Sequence, residues 1–310
     1  MPATCWCAHH DPHAAQSTSH NARIAGAPVR SAGDQNNSRK SAFWGRPALW
    51  KLLLVVVVYL AFYLAVGQVI SRIFSDQINT DNVIGSASSI ILGLALPIAI
   101  GAIAMLVFIA KLGWLRTIFG PQPIRGSGWM WVGPILVAAA IAAHLTGTDW
   151  SAWSTGEIIS LIALGACVGL AEELLTRGIA VKMLRDAGHG ERVVAVVSSL
   201  LFALMHSVNI ISGMEASTVL ATIVYTFGFG MCMYLTMRVT GTIWAAIVLH
   251  GLTDPTTILS TGGLDTSVTG ASGASTVASL VTALLVVFGI VAIFLVRGRV
   301  TAEQSANTAA

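Results

Sequence analysis

Two adjacent carboxylates and a guanidinium lie within an otherwise apolar run of the sequence. These are Glu172, Glu173 and Arg177, inside the stretch 158–181. Ionised side chains are costly in the interior of a bilayer, so they usually mark a functional site there. Glu173 and Arg177 are four residues apart on one helix face, which predicts a buried ion pair. Glu172 lies about 100° further around the helix without a partner in its own segment, so it is a candidate for chemistry.

Two later apolar segments each carry a histidine with a second notable side chain four residues away. His206 follows Phe202 in F-A-L-M-H, and His250 precedes Asp254 in H-G-L-T-D. A spacing of four places each pair on one helix face. Each residue alone has a structural alternative. A histidine can be a hydrogen-bonded core residue, and Asp254, directly before a proline, can end a helix.

The depth of these groups favours a shared site. Glu172, His206 and His250 are ten, fourteen and twelve residues from the nearest basic residue at the inner end of their segments. At 1.5 Å per helical residue, they lie roughly 15, 21 and 18 Å from the same membrane face. Helix tilt can absorb the remaining difference. Independent structural residues would have no reason to agree in depth, so the sequence predicts one site within the membrane.

The composition is that of a membrane protein. The chain has 310 residues, of which 55% are hydrophobic and 10% charged, whereas soluble domains carry about 25% charged residues. It contains eight apolar segments near the length of about 20 residues that spans a bilayer. The predicted fold is therefore all-α, a polytopic transmembrane bundle of about eight helices. The segments lie at about 49–70, 86–110, 129–146, 157–181, 193–211, 217–237, 241–256 and 276–296.

The seventh segment is the shortest. Because it reaches Asp254 and Pro255, we expect its outer end to be irregular, as backbone that lines a cavity can be. The following loop, 261–275, is rich in Gly, Ser and Thr and is expected to be flexible.

The distribution of basic residues predicts the topology. With eight spans and the N-terminus inside, Arg72 is the only Lys or Arg in an outer loop. By the positive-inside rule, both termini are then cytoplasmic, and we expect the protein in the cell (plasma) membrane. Residues 1–46 are polar, and we expect them to form a disordered cytoplasmic tail. Residues 47–297 are predicted to form the transmembrane domain, and residues 298–310 a second cytoplasmic tail. The four cysteines form no disulfide framework.

Two carboxylates and two imidazoles, without a serine or cysteine nucleophile, suit hydrolysis by an activated water. A carboxylate beside a histidine can deprotonate the water, and a second histidine can polarise a carbonyl. The same side chains could instead hold a divalent metal such as zinc, with His206, His250 and Glu172 as ligands. Adjacent Glu172 and Glu173 cannot both point at one ion, which favours the metal-free alternative while leaving the other open.

In order, the motifs E-E-x-x-x-R, F-x-x-x-H and H-x-x-x-N/D resemble those of the CPBP family of intramembrane proteases. That family joins CAAX prenyl endopeptidases with bacteriocin-processing and self-immunity (Abi) proteins. The resemblance covers about residues 157–260. It implies that Glu172 is the general base and that His206 helps to hold the attacking water. His250 and residue 254 would form the oxyanion side, and Glu173 with Arg177 would shape the site.

The chain departs from the prenyl endopeptidases at one position. They carry Asn where this chain has Asp254, as many bacterial members do, and an ionised aspartate cannot donate a hydrogen bond. Asp254 would therefore have to be protonated, orient His250, or bind a metal.

The leading functional hypothesis is an intramembrane endopeptidase that cuts a peptide or membrane-protein substrate in the lipid bilayer, with no role for nucleic acid. One alternative is a proton-coupled membrane transporter, in which buried Glu and His side chains relay protons. No inverted repeat relates the two halves, which disfavours it. The second alternative is a catalytically silent immunity or scaffold protein of the same fold, which the intact residue set disfavours.

Overall fold

The computed structural model describes residues 43–44, 48–211, 213–264, 273–301 and 304, and its regular secondary structure within that part is helical, without strands. The predicted N-terminal tail, apart from Phe43 and Trp44, and most of the predicted flexible loop lie outside the described residues. Nine helices occur in the described part. They are α1 Leu49–Ile73, α2 Ala87–Lys111, α3 Leu115–Phe119, α4 Val132–Gly147, α5 Thr155–Asp186, α6 Glu191–Ile210, α7 Ala216–Thr240, α8 Ile243–Thr261 and α9 Gly273–Leu295.

The eight predicted apolar segments correspond to eight of these helices, so the all-α polytopic bundle is confirmed. Within the described residues, seven helices are long and apolar enough to cross a membrane. The short helix α3 and the helix α8 are not among them. Helix α8 has 19 residues, so its composition and not its length sets it apart. It carries His250, Asp254 and several Thr and Ser residues in a single helix.

The expectation of an irregular outer end for the seventh segment, helix α8, is wrong. We expected an irregular end at Asp254 and Pro255, but the helix continues through Pro255 to Thr261 and ends at Gly262, whose φ is 72°. Proline lacks the N–H that would otherwise bond the carbonyl of Gly251. Neighbouring packed helices make such an interruption tolerable within a membrane. Asp254 is therefore a mid-helix residue, one turn from His250.

Helix α5 carries both carboxylates of the first motif. A capping box begins it, since Ser154 accepts a bond from the Glu157 N–H while the Glu157 carboxylate accepts one from the Ser154 N–H. Its first part is regular as far as Glu173, and residues Leu174–Ala180 then form a π-helical segment. Such wide turns are rare and frequently occur at functional sites. Here the wide turn begins directly after the two carboxylates and contains Arg177.

Helices α5 and α8 approach each other closely through glycines. A Cβ at Gly169 would lie 2.5 Å from the carbonyl oxygen of Ile247 and 2.7 Å from the nitrogen of Gly251. One turn earlier, Gly165 contacts Gly251 and Pro255 in the same way. Small residues four apart allow helix backbones to pack closely in membranes. This contact brings the carboxylates of α5 within reach of His250.

A second buried polar cluster joins three helices at the Lys- and Arg-rich end of the bundle. Glu191, which is fully buried, accepts hydrogen bonds from Arg185 at 2.8 and 2.9 Å, from Arg238 at 2.8 Å and from the hydroxyl of Tyr234. Arg185 also donates to the side chain of Gln122 at 2.7 Å. Each charge is thus paired and hydrogen-bonded, as burial requires. The cluster fixes this end of α5, α6 and α7.

The glycine contact gives a testable prediction. Gly169→Ala should lower stability by about 1–3 kcal/mol, because its methyl group has no space against the backbone of α8. Thermal unfolding of the detergent-solubilised protein measures the change. Gly67→Ala in α1 is the matched control, since nothing lies within 4 Å of the added carbon, and alanine favours a helix. Equal melting temperatures for both variants would show that the close packing of α5 and α8 is unimportant.

Candidate active site

The buried carboxylate of Glu173 lies at the centre of the candidate site. Its Oε1 atom is 3.0 Å from Nη1 of Arg177 and 2.8 Å from Nδ1 of His250. All three side chains are almost completely buried. A carboxylate in such surroundings is stable only when paired and hydrogen-bonded. The ion pair predicted from the spacing is therefore present, and the same oxygen also contacts α8.

Arg177 is held on several sides within the π-helical segment. It donates to Oγ1 of Thr176 at 2.6 Å and to the backbone oxygen of Gly230 in α7 at 2.7 Å. Its guanidinium lies 4.8 Å from the centre of the Phe202 ring, a distance typical of a cation–π contact. Gly230 is needed here, because a Cβ there would lie 2.9 Å from Nη2 of Arg177. Arg177 thus ties α5 to α6 and α7.

His250 is oriented by Glu173. A carboxylate can only accept a hydrogen bond, so Nδ1 of His250 carries the proton in this pair. The opposite nitrogen, Nε2, is 3.7 Å from Oε2 of Glu172, which is too far for a direct hydrogen bond. The imidazole packs edge-on against Phe229 and Phe202, with ring centres 4.9 and 5.6 Å away. The ring is therefore fixed with Nε2 directed towards Glu172.

Glu172 differs from its neighbour in exposure. Its side chain is 22% exposed, whereas that of Glu173 is 0% exposed. Electrostatic interactions link Glu172 to His206, His250, Asp254 and Glu173. The structure therefore brings together all five residues predicted from the sequence, and Glu172 is the carboxylate among the adjacent pair that solvent or substrate can reach.

His206 lies where α6 changes from an α-helix to a short 3-10 turn, His206–Ile210. Its Nδ1 atom is 3.0 Å from the backbone oxygen of Phe202. A carbonyl only accepts, so Nδ1 donates, and in the neutral ring Nε2 is then the acceptor. The Phe202 ring packs edge-on against both His206 and His250, at 5.1 and 5.6 Å. Phe202 thus separates the two imidazoles and sets their directions.

Metal binding at this site stays a prediction. Among the described residues, no group of three His, Cys, Asp or Glu side chains is placed to hold one metal ion. Nδ1 of His250 is bonded to Glu173, and Nδ1 of His206 is bonded to a backbone carbonyl. His206, His250 and Glu172, the ligand set considered from the sequence, do not form such a group in the described residues.

Sequence reasoning missed two features of this region. It paired Glu173 with Arg177 alone, whereas the Glu173 oxygen that bonds Arg177, Oε1, also accepts a hydrogen bond from His250. It also placed the whole site in the second half of the chain, whereas Tyr59 and Tyr63 of α1 interact electrostatically with Glu172. Their signal in the sequence is weak: two tyrosines four residues apart in an aliphatic helix are ordinary in a membrane span.

Comparison with protein families gives one match. Residues 153–256 match the family described as Type II CAAX prenyl endopeptidase Rce1-like. This range contains Glu172, His206, His250 and Asp254, so it confirms the resemblance drawn from the motifs. Searches of curated proteins and of solved structures found no match. Together with the seven apolar helices, the match identifies an integral, multi-pass membrane protein.

The central ion pair predicts a large effect on stability. Arg177→Ala should destabilise the protein by about 3–5 kcal/mol, because it leaves the Glu173 carboxylate buried without its cation. Thermal unfolding and yield from membranes measure this effect. Lys182→Ala is the control: it removes an ion pair with Asp186 at the same i, i+4 spacing, but one that is partly exposed and worth at most about 1 kcal/mol. Normal melting of Arg177→Ala would contradict the role of this pair.

Proposed function

We propose that the chain, which belongs through residues 153–256 to the CAAX-type family of intramembrane proteases, hydrolyses a peptide bond with a water activated by Glu172. The observation that carries the proposal is the unequal environment of the two adjacent carboxylates. Glu173 is bonded to Arg177 and His250, whereas Glu172 is partly exposed beside both imidazoles. One carboxylate therefore organises the site, and the other is available to act as a base.

In this mechanism, Glu172 removes a proton from water as the water oxygen attacks the carbonyl carbon. A general base must lie within hydrogen-bonding reach of the proton that it removes. His206 suits the holding of that water, because its Nδ1 is bonded to the Phe202 carbonyl and its Nε2 can accept a hydrogen bond. Glu172 and His206 then hold the water from two sides.

His250 acts on the other side of the scissile bond. The Glu173 carboxylate accepts from Nδ1 and favours a positively charged imidazole. With both nitrogens protonated, Nε2 can donate to the carbonyl oxygen and then to the leaving amine. Asp254, one turn away on α8, interacts electrostatically with His250, and in its protonated form it can donate a hydrogen bond to the same carbonyl oxygen. The metal-bound alternative would instead require His206, His250 and Glu172 to rearrange around one ion.

We infer that the substrate is a peptide or membrane protein cut within the plasma membrane, with both termini of the enzyme in the cytoplasm. The excess of Lys and Arg at one end of the bundle supports this orientation. Labelling of single cysteines with a membrane-impermeant reagent tests it. A cysteine at Gly263 should react from outside and one at the exposed Lys111, at the inner end of α2, should not; the reverse pattern would refute the orientation.

Glu172→Gln should reduce peptide release by about 10²-fold or more, because the amide keeps the shape of the side chain but cannot act as a base. Membranes that contain each form would be compared by mass spectrometry of the released peptides, which also identifies the substrate. Glu215→Gln is the control, since Glu215 is exposed at the start of α7. Retained release in Glu172→Gln, with normal melting, would make Glu172 a structural residue and refute the proposed mechanism.

Asp254→Asn separates the metal-free mechanism from the metal-bound one. We expect retained activity that is insensitive to chelator, because asparagine keeps the shape and can donate a hydrogen bond at every pH. A metal site would behave in the opposite way, since an amide is a poorer ligand than a carboxylate. The measurement is a pH–rate profile with and without chelator. An inactive variant that added Zn²⁺ restores would overturn the metal-free proposal.

A further inference from the structure

One buried hydroxyl lies directly beside the two carboxylates of the candidate site. Thr176 follows Leu174 and Leu175 in the apolar run of α5, and it is completely buried. It belongs to the π-helical segment that begins at Leu174. A hydroxyl in such surroundings is costly unless it is hydrogen-bonded. Its bonding partners therefore indicate what this position does.

Part of this bonding is ordinary for a helix. Threonine side chains often donate to the backbone carbonyl four residues earlier. Thr236 of α7, which is also buried, donates in this way to the backbone oxygen of Cys232 at 2.9 Å. Within the described residues, the Thr236 hydroxyl makes no hydrogen bond with a charged side chain. A bond of this kind alone would give Thr176 a structural role only.

Thr176 makes a second bond, to a cation. Its Oγ1 atom is 2.6 Å from the backbone oxygen of Glu172 and 2.6 Å from Nη1 of Arg177. A carbonyl can only accept, so the hydroxyl donates its one proton to the Glu172 oxygen and accepts from the guanidinium. The same Nη1 atom lies 3.0 Å from Oε1 of Glu173. One guanidinium nitrogen is thus connected to both carboxylate residues, directly to the side chain of Glu173 and through the hydroxyl to the backbone of Glu172.

The cation strengthens this link. A hydrogen bond with a charged donor is roughly twice as strong as one between neutral groups, and successive hydrogen bonds polarise one another. The guanidinium itself is fixed, since it donates to the backbone oxygen of Gly230 at 2.7 Å. The chain of bonds from Arg177 through Thr176 therefore ties the backbone of Glu172 to a group that α7 holds in place.

The backbone of Glu172 matters because the carboxylate of this residue is weakly held. The carboxylate is 22% exposed and lies 3.7 Å from Nε2 of His250, too far for a hydrogen bond. Among the described residues, no side chain or backbone group makes a hydrogen bond with it. Its direction therefore depends on its backbone, which lies where the regular helix changes into the wide turn. A misplacement of about 1 Å can lower the rate of a catalysed reaction about 10²-fold.

We propose that Thr176 is a positioning residue for Glu172, and that its hydroxyl couples the backbone of the base to the Arg177 guanidinium. The inference rests on the proposed peptidase function, in which Glu172 activates the water. Thr176 is completely enclosed, so it cannot touch a substrate and acts through its two partners. The ion pair with Glu173 and the direction of the base are then set by one cation.

The test is Thr176→Val, which keeps the branched shape of the side chain and removes the hydroxyl. Glu172 then keeps its carboxylate but loses the bond that fixes its backbone, so kcat for release of a peptide identified from wild-type membranes should fall about 10²-fold. KM should change little, because Thr176 does not contact the substrate. Thr176→Ser restores the hydroxyl and should restore most of kcat. All rates are measured below the melting temperature of each form.

Thr236→Val is the matched control. It removes a buried hydroxyl that makes the same bond to the carbonyl four residues earlier, but one without a bond to a cation. It should lower the melting temperature and leave kcat unchanged. The pair Thr176→Ser and Thr176→Ala gives a second comparison, in which the two forms differ only by the hydroxyl. This pair decides the question even where Thr176→Val does not fold.

Four outcomes would overturn the inference. Wild-type kcat in Thr176→Val, or equal kcat in Thr176→Ser and Thr176→Ala, would exclude the hydroxyl from positioning the base. A rise in KM at unchanged kcat would assign Thr176 to substrate binding. Equal losses of kcat in Thr176→Val and Thr236→Val would indicate a general loss of helix packing. Glu172→Gln keeps the two levels apart, because an active form of that variant refutes the peptidase mechanism, whereas an inactive one beside a normal Thr176→Val form refutes only the positioning role.

Discussion

One buried carboxylate determines how the site is built. Glu173 accepts hydrogen bonds from Arg177 on its own helix and from His250 on α8. Because a buried carboxylate requires such partners, it fixes the proton on Nδ1 of the imidazole and the direction of Nε2. Arg177 is fixed in turn by the backbone of Gly230 and the ring of Phe202. Loss of this one carboxylate would remove the hydrogen bond between α5 and His250 of α8 and leave the buried Arg177 without its anion.

Much of the fold could be predicted from the sequence, because a membrane allows few structures. The eight helices follow from apolar length, and the Glu173–Arg177 pair follows from helical spacing. A common level for Glu172, His206 and His250 was expected from residue counts, since the rise of a helix is constant. Properties that depend on the regular spacing of residues within one helix can be predicted without knowledge of the neighbouring helices.

The rest depended on contacts between helices. Residue spacing could not show which of the two carboxylates bonds His250, because this depends on how α5 is rotated against α8. The close glycine contact and the π-helical segment determine that rotation. The burial of Glu191 was also hidden, since Arg185 and Arg238 read as ordinary boundary charges. Pro255 suggested a helix end, yet packing carries the helix through it. Each of these is a tertiary property that local patterns do not encode.

The composition of α8 has a consequence for how the protein is made. A segment that carries His250, Asp254 and several hydroxyls partitions poorly into lipid by itself, and within the described residues α8 is not among the helices apolar enough to cross alone. It is stable at membrane depth because α5 covers its polar groups and its interrupted backbone. We therefore expect stable integration of α8 to require its packing against α5, and a chain that fails to bring the two helices together would leave the polar groups of α8 facing lipid.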